Sequence, residues 1–421
     1  MIPKISQLLR NGFRKYRDLF GMDSENIAIY LESISRSCIF AAKFIWKIMI
    51  KRTLIQNIQD VLHKNKAIIL LGARQTGKTT LLKHLFDNKD QTLWLNADES
   101  DVVNLFANAN AANLRAVIGN CKTVIIDEAQ RIENVGLKLK LITDQMPDIQ
   151  LIATGSSAFE LSNRINEPLT GRKWEFTLFP LSFAEMVQHH GLLEEKRLLR
   201  HRLLYGYYPD VVVNQGNERR LLQLLSDSYL YKDILQWEGI LKPDRLLILL
   251  KALAFQIGSQ VSYNELSQIC NLDSKTVEKY MLLLEKTFVI FRLGSLARNL
   301  RNELKFSRKI YFYDNGIRNS LISNFSPIDM RDDKGALWEN FLVSERMKKL
   351  HYNEIWANSY FWRTKDQQEI DYIEEKDGAI SAFEFKWGAK KQAKLNAAFQ
   401  ASYNAENMLV VSPENVEEFL L

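Results

Sequence analysis

The chain has 421 residues, 46% of them hydrophobic and 25% charged, which is the composition of a soluble globular protein long enough for about three domains. Its formal net charge of +6 permits contact with nucleic acid but is too small to argue for it alone. Its three cysteines stand far apart without a CxxC pair, so neither a disulfide framework nor a zinc site is expected, and a reducing cytoplasm fits best.

Residues 1–48 form an N-terminal extension without caps or motifs. Its apolar run, Cys38–Ile50, contains Lys43 and Lys47 and is shorter than the roughly 20 residues that a membrane span needs, so we expect no transmembrane span. The run also lies too far from the start for a cleaved signal peptide. Residues 27–50 can instead form a basic amphipathic helix for a membrane surface or a partner. The simpler alternative is a mobile tail, or a start codon assigned upstream of a true start at Met49.

Residues 49–180 alternate between helical and strand patterns. This alternation predicts an α/β domain whose parallel sheet is covered by helices on both faces. Four of the five expected strands are short, apolar and unalternated, as strands buried on both faces should be. The predicted strands are Ala67–Leu71, Thr92–Leu95, Thr123–Ile126, Ile149–Thr154 and Glu175–Leu178.

A phosphate-binding loop follows the first predicted strand. The glycines let backbone N–H groups curl round phosphates, and the start of the next helix adds positive potential. We expect Lys78 to reach the β- and γ-phosphates of ATP and the Thr79 hydroxyl to ligate Mg²⁺. The alternative, a chance glycine turn, requires the motif and both flanks to agree by accident. The ATP-binding residues expected from this P-loop are Gly72, Ala73, Arg74, Gln75, Thr76, Gly77, Lys78, Thr79 and Thr80.

Two carboxylates, Asp127 and Glu128, end the third predicted strand. After a P-loop, this Walker B pattern predicts that Asp127 holds Mg²⁺ through its water shell and that Glu128 orients and deprotonates the attacking water. Alone, such a pair would more often be a solvated turn. The next strand breaks at Thr154 and Ser156, and either residue is a candidate sensor of the γ-phosphate, although a plain polar turn explains that pattern almost as well.

Arg172 stands next to a glycine just before the fifth predicted strand. It is a candidate arginine finger that would act on the nucleotide of a neighbouring subunit. The alternative is a surface arginine. Because a finger of this kind needs a neighbour, we expect a homo-oligomer.

The rest of the chain divides into three further segments. Residues 181–241 are rich in Leu and Tyr and predict a small helical lid. Residues 242–297 have helix, turn, helix spacing, with the second helix capped by Ser274. Residues 298–421 mix strands and helices.

Several runs are those of a known family: GARQTGKTTLL, VIIDEAQRI, ATGSSAFEL, LTGRKWEFTLFPLSFAE and YGYYPDVV. From about Met49 to the C-terminus the chain resembles bacterial and archaeal AAA-class P-loop ATPases that carry a winged helix and a C-terminal restriction-endonuclease-like domain of unknown function. The resemblance implies a winged-helix domain at 242–297 and an α/β restriction-endonuclease-like domain at 298–421. It also implies a start near Met49, since members of the family begin with something like Met49–Leu54.

The resemblance further points to a PD-(D/E)XK nuclease pattern in the last segment. Glu384 and Lys386 lie on one face of a predicted strand, and Asp371 lies on the preceding strand, across a hairpin turn at Lys376–Gly378. Glu339 lies on an upstream helix. In this pattern the three carboxylates hold one or two Mg²⁺ ions and Lys386 positions or activates water. The alternatives are ordinary hairpin positions in which Lys386 pairs with a carboxylate, and a degenerate, inactive nuclease fold.

Basic residues beside the helix-turn-helix favour nucleic acid as a partner, with DNA preferred. The helix that starts at Ser274 presents Lys275, Lys279 and Lys286, and residues 292–309 hold six Lys or Arg against one Glu. The alternative is a winged helix that serves protein assembly, with an ordinarily solvated basic stretch.

Together these features predict a cytoplasmic AAA-class protein that binds and hydrolyses ATP with Mg²⁺ and binds or remodels DNA. Its last domain would be a possible metal-dependent nuclease. The alternative from a different class is a non-nucleolytic switch, in which ATP controls assembly and the C-terminal domain is a binding module. Membrane attachment through residues 27–50 is a weaker idea.

Overall fold

A computed structural model describes most of the chain after residue 49. Its two units are Met1–Lys51 and Arg52–Leu421, and the architecture below belongs to the second. The predicted extension and the amphipathic helix at 27–50 lie outside the described residues, apart from Ile50. No helix within the described part is long and apolar enough to cross a membrane. The described residues are 50–86, 91–107, 109–156, 165–229, 240, 242–296, 308–364, 368–388, 399–400, 403, 405 and 408–421.

The first sheet has five strands, all parallel, in the order β2-β3-β4-β1-β5. Every residue of β1 and β4, two of the three interior strands, is buried, so both faces of the sheet are covered at these strands. The predicted strands agree with the structure to within two residues at each end, which confirms the parallel α/β sheet. The strands are β1 (Ala67–Leu71), β2 (Thr92–Asn96), β3 (Thr123–Asp127), β4 (Gln150–Gly155) and β5 (Lys173–Thr177).

Five helices of the described part accompany this sheet, and each has buried apolar residues that join the core around it. Since the strands are parallel, the carboxyl ends of β1, β3 and β4 meet at one edge of the sheet. The helices are α1 (Leu54–Val61), α2 (Lys78–Leu85), α3 (Ser100–Ala107), α4 (Ala111–Ile118) and α5 (Val135–Gln145).

Within the described residues, four helices follow in the segment that was predicted to be helical, and its role as a lid stays a prediction. The first begins with a capping box: the Ser182 hydroxyl accepts from the Glu185 N–H, and the Glu185 carboxylate accepts from the Ser182 N–H. This box fixes the chain direction just after β5. The helices are α6 (Phe183–His190), α7 (Leu192–Tyr205), α8 (Pro209–Val213) and α9 (Glu218–Tyr229).

In the next segment the structure describes three helices and three strands. Its helix-turn-helix is present, but Ser274 is not the cap of the second helix, as the sequence had suggested. Asp273 is the N-cap, because its side chain accepts from the Thr276 N–H at 2.9 Å and satisfies an N–H of the first turn. The elements are α10 (Pro243–Phe255), β6 (Gln260–Val261), α11 (Tyr263–Cys270), α12 (Ser274–Lys286), β7 (Ile290–Ser295) and β8 (Arg308–Phe312).

The C-terminal segment combines a long helix with an antiparallel hairpin. Strands β10 and β11 are joined at Asp377 and Gly378, both with positive φ, which is the two-residue turn that suits a right-twisted hairpin. The predicted hairpin is therefore confirmed. The elements are α13 (Asn315–Leu321), α14 (Lys334–Tyr352), β9 (Asn358–Arg363), β10 (Glu369–Lys376), β11 (Ala379–Phe385), β12 (Met408–Val411) and α15 (Val416–Leu420).

Strands from these last two segments share one seven-stranded sheet, in the order β12-β11-β10-β9-β7-β8-β6. The junction is a short parallel pairing of β7 with β9, in which Gly294 lies opposite Tyr360 and Ser295 opposite Phe361. The strand pair after the helix-turn-helix is thus an interior part of a larger sheet.

Candidate nucleotide-binding site

The predicted phosphate-binding loop joins β1 to α2 at the carboxyl edge of the first sheet. Gly72 has a φ of 152°, and a Cβ at this position would lie 2.2 Å from the Leu178 carbonyl oxygen, so only glycine fits. Gly77 and Gln75 also have positive φ. The Thr76 hydroxyl donates to the Ala73 carbonyl at 2.9 Å and closes the loop on itself.

Lys78 is the first residue of α2 and is buried. Its ammonium group donates to the carbonyl oxygens of Gly72 and Ala73 at 2.9 and 3.0 Å, and so lies within the curl of the loop. Around it, Ala73 and Thr76 are buried, Arg74 is half-buried, and Gln75 and Thr80 are exposed. The cation therefore lies where the motif predicts contact with phosphate.

Asp127 meets the loop from the end of β3. One carboxylate oxygen accepts from the Thr79 hydroxyl at 2.8 Å, and the other accepts a short hydrogen bond from the Thr154 hydroxyl. The Thr154 oxygen in turn accepts from the Glu128 N–H at 3.1 Å. The structure therefore brings together the predicted magnesium pair, Thr79 and Asp127, and one of the two sensor candidates.

Glu128 follows β3 in a left-handed conformation, with a φ of 53°. Gln130 donates to its carboxylate at 2.5 Å and to the Ser156 hydroxyl at 3.3 Å. The second sensor candidate, Ser156, is thus joined through Gln130 to the predicted catalytic base. From the sequence we expected no role for Gln130, although we expected roles for Asp127 and Glu128 in the same run, VIIDEAQRI.

The donor set at this edge suits a nucleotide carried by magnesium. Mg²⁺ prefers hard oxygen ligands and usually takes only one or two from protein, and the Thr79 hydroxyl and the Asp127 carboxylate supply them side by side. The P-loop N–H groups and Lys78 would face the phosphates. Nothing in this arrangement conflicts with bound ATP.

Arg172 lies at the opposite edge of the sheet. Its carbonyl accepts from the Ala67 N–H at the amino end of β1, which places it about one strand length, roughly 16 Å, from the loop of its own chain. Its guanidinium makes an exposed salt bridge with Asp144 at 2.6 Å. A role on a neighbouring subunit stays a prediction.

Comparison with known families agrees with this geometry over the segment that contains the P-loop and the first sheet. Residues 64–187 match the model of an AAA domain. This match supports an AAA-class ATPase. Beyond the AAA domain, residues 196–328 and 334–419 match two families that are each described as a domain of unknown function.

Relatives of the whole chain are distant. An uncharacterized protein of Mycobacterium tuberculosis is 25% identical over 342 residues, covering 80% of this chain and 74% of its own length. An uncharacterized protein of Haemophilus influenzae is 25% identical over 345 residues, covering 74% of this chain and 80% of its own. Among solved structures, a Walker-type ATPase of Pyrococcus abyssi aligns with 65% of this chain and 96% of its own, at a TM-score of 0.48 and 14% identity.

Outside the AAA domain, the predicted nuclease residues come together at one end of the C-terminal hairpin. Asp371 lies on β10, Glu384 on β11 and Glu339 on α14. Lys386, just after β11, pairs with Glu384 at 2.5 Å, which is also what the alternative of ordinary hairpin positions requires.

The other carboxylates of this cluster affect the pKa of Asp371. Burial, together with the nearby carboxylates of Glu339 and Glu384, raises the pKa of Asp371 from its usual 3.8 to about 7. Within the described residues, no three His, Cys, Asp or Glu side chains form a group that could hold a metal ion. Metal binding by these carboxylates therefore stays a prediction.

A buried lysine from a neighbouring segment enters the same cluster. Lys309 on β8 bridges Glu339 at 2.8 Å and Glu369 at 2.6 Å, with its side chain only 3% exposed. Burial acts to lower the pKa of this lysine, but the two carboxylates outweigh it and raise the pKa above 10.5. Local sequence does not reveal this contact, because Lys309 stands in a run of basic residues that we had assigned to nucleic acid.

The basic stretch at 292–309 therefore has fewer side chains available to bind nucleic acid than its composition suggests. Arg292 pairs with Glu285 and donates to the Tyr263 hydroxyl at 2.9 Å, and Lys309 is buried in the carboxylate cluster. Three of the six basic residues, at positions 298, 301 and 305, lie outside the described residues. On α12, Lys275 and Lys279 are exposed and Lys286 is half-buried, as a surface for phosphates would need.

Proposed function

We propose that the chain hydrolyses ATP at its AAA domain and uses the nucleotide cycle to control a nucleic-acid module in its C-terminal half. One observation supports the proposal of ATP hydrolysis. The Thr79 hydroxyl and the Asp127 carboxylate stand 2.8 Å apart beside the P-loop lysine, with the acid Glu128 next in the chain. This arrangement supports both halves of a hydrolytic site, the cradle for the phosphates and the base for the water.

Each residue has a defined task in this reaction. Lys78 and the loop N–H groups bind the phosphates, while Thr79 and Asp127 would hold the Mg²⁺ ion, which neutralises the charge that develops on the transferred phosphoryl group. Glu128 accepts a proton from the attacking water. Gln130 holds the Glu128 carboxylate in place, and Thr154 fixes Asp127 from the side opposite Thr79.

The test is ATP turnover by the wild type and by Lys78→Ala, each with and without single-stranded or branched DNA. We expect turnover by the wild type, a loss of about a hundredfold or more in kcat/KM in the variant, and stimulation by DNA. No turnover by the wild type, or equal turnover by the variant, would reject hydrolysis at this loop. Turnover that DNA leaves unchanged would reject the coupling alone.

For the C-terminal half, the order of elements from α10 to β8 supports a winged helix, and the exposed lysines of α12 support contact with phosphates. Binding of this kind weakens with salt. The logarithm of the binding constant falls with the logarithm of the salt concentration, with a slope of nearly one per phosphate contact. We therefore expect Lys275→Gln combined with Lys279→Gln to weaken DNA binding and to reduce that slope by one to two. An unchanged slope would favour the alternative, in which this segment serves protein assembly.

Cleavage of DNA is a second candidate, and the raised pKa of Asp371 favours it. A carboxylate cluster with surplus negative charge is an environment that a divalent cation stabilises. Incubation with DNA and Mg²⁺ or Mn²⁺ should nick it, and Asp371→Ala and Glu384→Ala should not. If the wild type cuts no strand, or if the variants cut equally well, the C-terminal domain is a binding module, as in the switch hypothesis.

We also propose that the chain forms a homo-oligomer. Arg172 lies about one strand length from the P-loop of its own chain, so a role as arginine finger requires the nucleotide site of a neighbouring subunit.

A further inference from the structure

Arg52, just before α1, is a buried side chain with an unusual set of partners. It is 6% exposed, and its guanidinium binds four groups that all lie far from Arg52 in the sequence. These are the Glu185 carboxylate at 3.1 Å, the Thr76 carbonyl at 2.8 Å, the Phe179 carbonyl at 2.6 Å and the Tyr352 hydroxyl at 3.4 Å.

The bond to Thr76 determines how part of the P-loop is oriented. In a trans peptide the C=O and the following N–H point in opposite directions. Since the Thr76 carbonyl is directed at Arg52, the N–H of Gly77 points away from it. Gly77 immediately precedes Lys78, and its N–H is one of the loop groups that bind phosphate in this motif. Arg52 therefore fixes a peptide unit of the P-loop through a bond to its backbone.

The other partners of Arg52 connect this peptide to the C-terminal helix α14. The hydroxyl of Tyr352, the last residue of α14, accepts both from Arg52 and from the Phe179 N–H, the latter at 3.0 Å. One and two turns earlier, Lys348 donates to the Leu181 carbonyl at 3.0 Å and Glu345 accepts from the Phe183 N–H at 2.6 Å. The carboxyl half of α14 is thus anchored on the segment that Arg52 also holds.

The amino half of the same helix carries Glu339, a member of the carboxylate cluster. Glu339 and Tyr352 are thirteen residues apart, which in one continuous helix is about 20 Å. A change in the loop peptide therefore has a rigid path, through one guanidinium and one helix, to the second candidate site.

We propose that Arg52 is a positioning residue for nucleotide binding, and that its contact with Tyr352 couples the conformation of the P-loop to α14. The inference rests on the proposed ATP site and adds residues that the P-loop and Walker B motifs do not contain. Because coupling is reciprocal, the state of α14 also changes the affinity of the loop for nucleotide.

The test compares full-length wild type, Arg52→Lys, Tyr352→Phe and, as a control, Arg115→Lys, an exposed arginine paired with Asp148 on the surface. The probe is a fluorescent ATP analogue with Mg²⁺, followed by turnover. Lysine keeps the charge but cannot hold four groups with one planar fork. We expect Arg52→Lys to weaken nucleotide binding and raise KM about tenfold, with little change in kcat. The control should match the wild type.

Amide hydrogen exchange of residues 334–352 measures the coupling. Nucleotide should slow exchange in this helix in the wild type, and Tyr352→Phe, which removes one hydroxyl and keeps the ring, should abolish that response. Tyr352→Phe also keeps the test decisive if Arg52→Lys fails to fold.

Equal binding by wild type and Arg52→Lys, or an unchanged exchange response in Tyr352→Phe, would overturn the inference and leave ATP hydrolysis standing. No binding by the wild type would overturn both.

Discussion

The P-loop has no room for a side chain at Gly72, because a Cβ there would overlap the Leu178 carbonyl oxygen. We expect Gly72→Ala to displace the loop, to cost more than about 2 kcal/mol of unfolding free energy and to weaken ATP binding. Gly378→Ala is the matched control, since its φ is also positive but no atom lies within 4 Å of the new Cβ. It should cost stability only and leave ATP affinity unchanged. Equal ATP affinity in the wild type and Gly72→Ala would contradict the steric argument.

Asp371 gives the carboxylate cluster a pH dependence. Its pKa is about 7 in the folded chain and 3.8 as the ordinary value, so the folded state holds the proton more tightly, and stability falls as the pH rises from about 4 through 7. Asn cannot ionise but keeps an oxygen to accept from the Phe385 N–H. Asp371→Asn should therefore stabilise the protein at pH 8 by on the order of 1–3 kcal/mol, and by clearly less at pH 5, where only part of this difference has developed. Thermal unfolding at both pH values measures this.

Glu375→Gln is a control for that measurement, since it lies on the same strand and outside the cluster. Its effect should be small and equal at both pH values. If Asp371→Asn behaves in the same way, the carboxylates do not interact as the structure indicates.

Much of the nucleotide site could be predicted from the sequence because its residues lie in two short motifs. Lys78, Thr79, Asp127 and Glu128 each have a fixed place relative to a strand end, and parallel strands bring those ends together. Arg52 could not be found in this way. Its partners are between 24 and 300 residues away, and no local pattern records them.

Local sequence predicts the strands of the first sheet well, but it does not predict the pairing of β7 with β9. Four of the five strands of the AAA domain were expected as short apolar runs between helices, and such runs can be recognised in a sequence as buried strands. By contrast, β7 pairs with β9 through only two residue pairs, more than sixty positions apart, so the sequence suggested two separate segments where the structure has one sheet. Pairing between distant strands depends on tertiary packing, which a single sequence does not display.

Lys309 tests whether that shared sheet matters for stability. Lys309 on β8 is the buried cation between Glu339 and Glu369, and removing it takes this cation away from both carboxylates. We expect Lys309→Ala to lower the unfolding free energy by about 2–4 kcal/mol. Lys376→Ala, an exposed lysine on β10, should change it by less than about 0.5 kcal/mol. Equal urea midpoints for the two variants would contradict a structural role for Lys309.

For the molecule as a whole, the described part from Arg52 onward is a single compact unit. The helix α14 lies against the segment that follows β5 and also carries Glu339, so the AAA domain and the C-terminal sheet share a structural element. We therefore expect nucleotide binding to the AAA domain to affect the conformation of the C-terminal sheet.

The replacement Glu128→Gln tests hydrolysis most directly, because it removes only the base. Glutamine has nearly the same size as glutamate but cannot accept a proton, so ATP should still bind through the P-loop, Thr79 and Asp127. Phosphate release should fall by about a hundredfold or more, with the dissociation constant for ATP within about threefold of the wild type. Phosphate release that is unchanged in Glu128→Gln would contradict the assignment of Glu128 as the catalytic base of an ATPase.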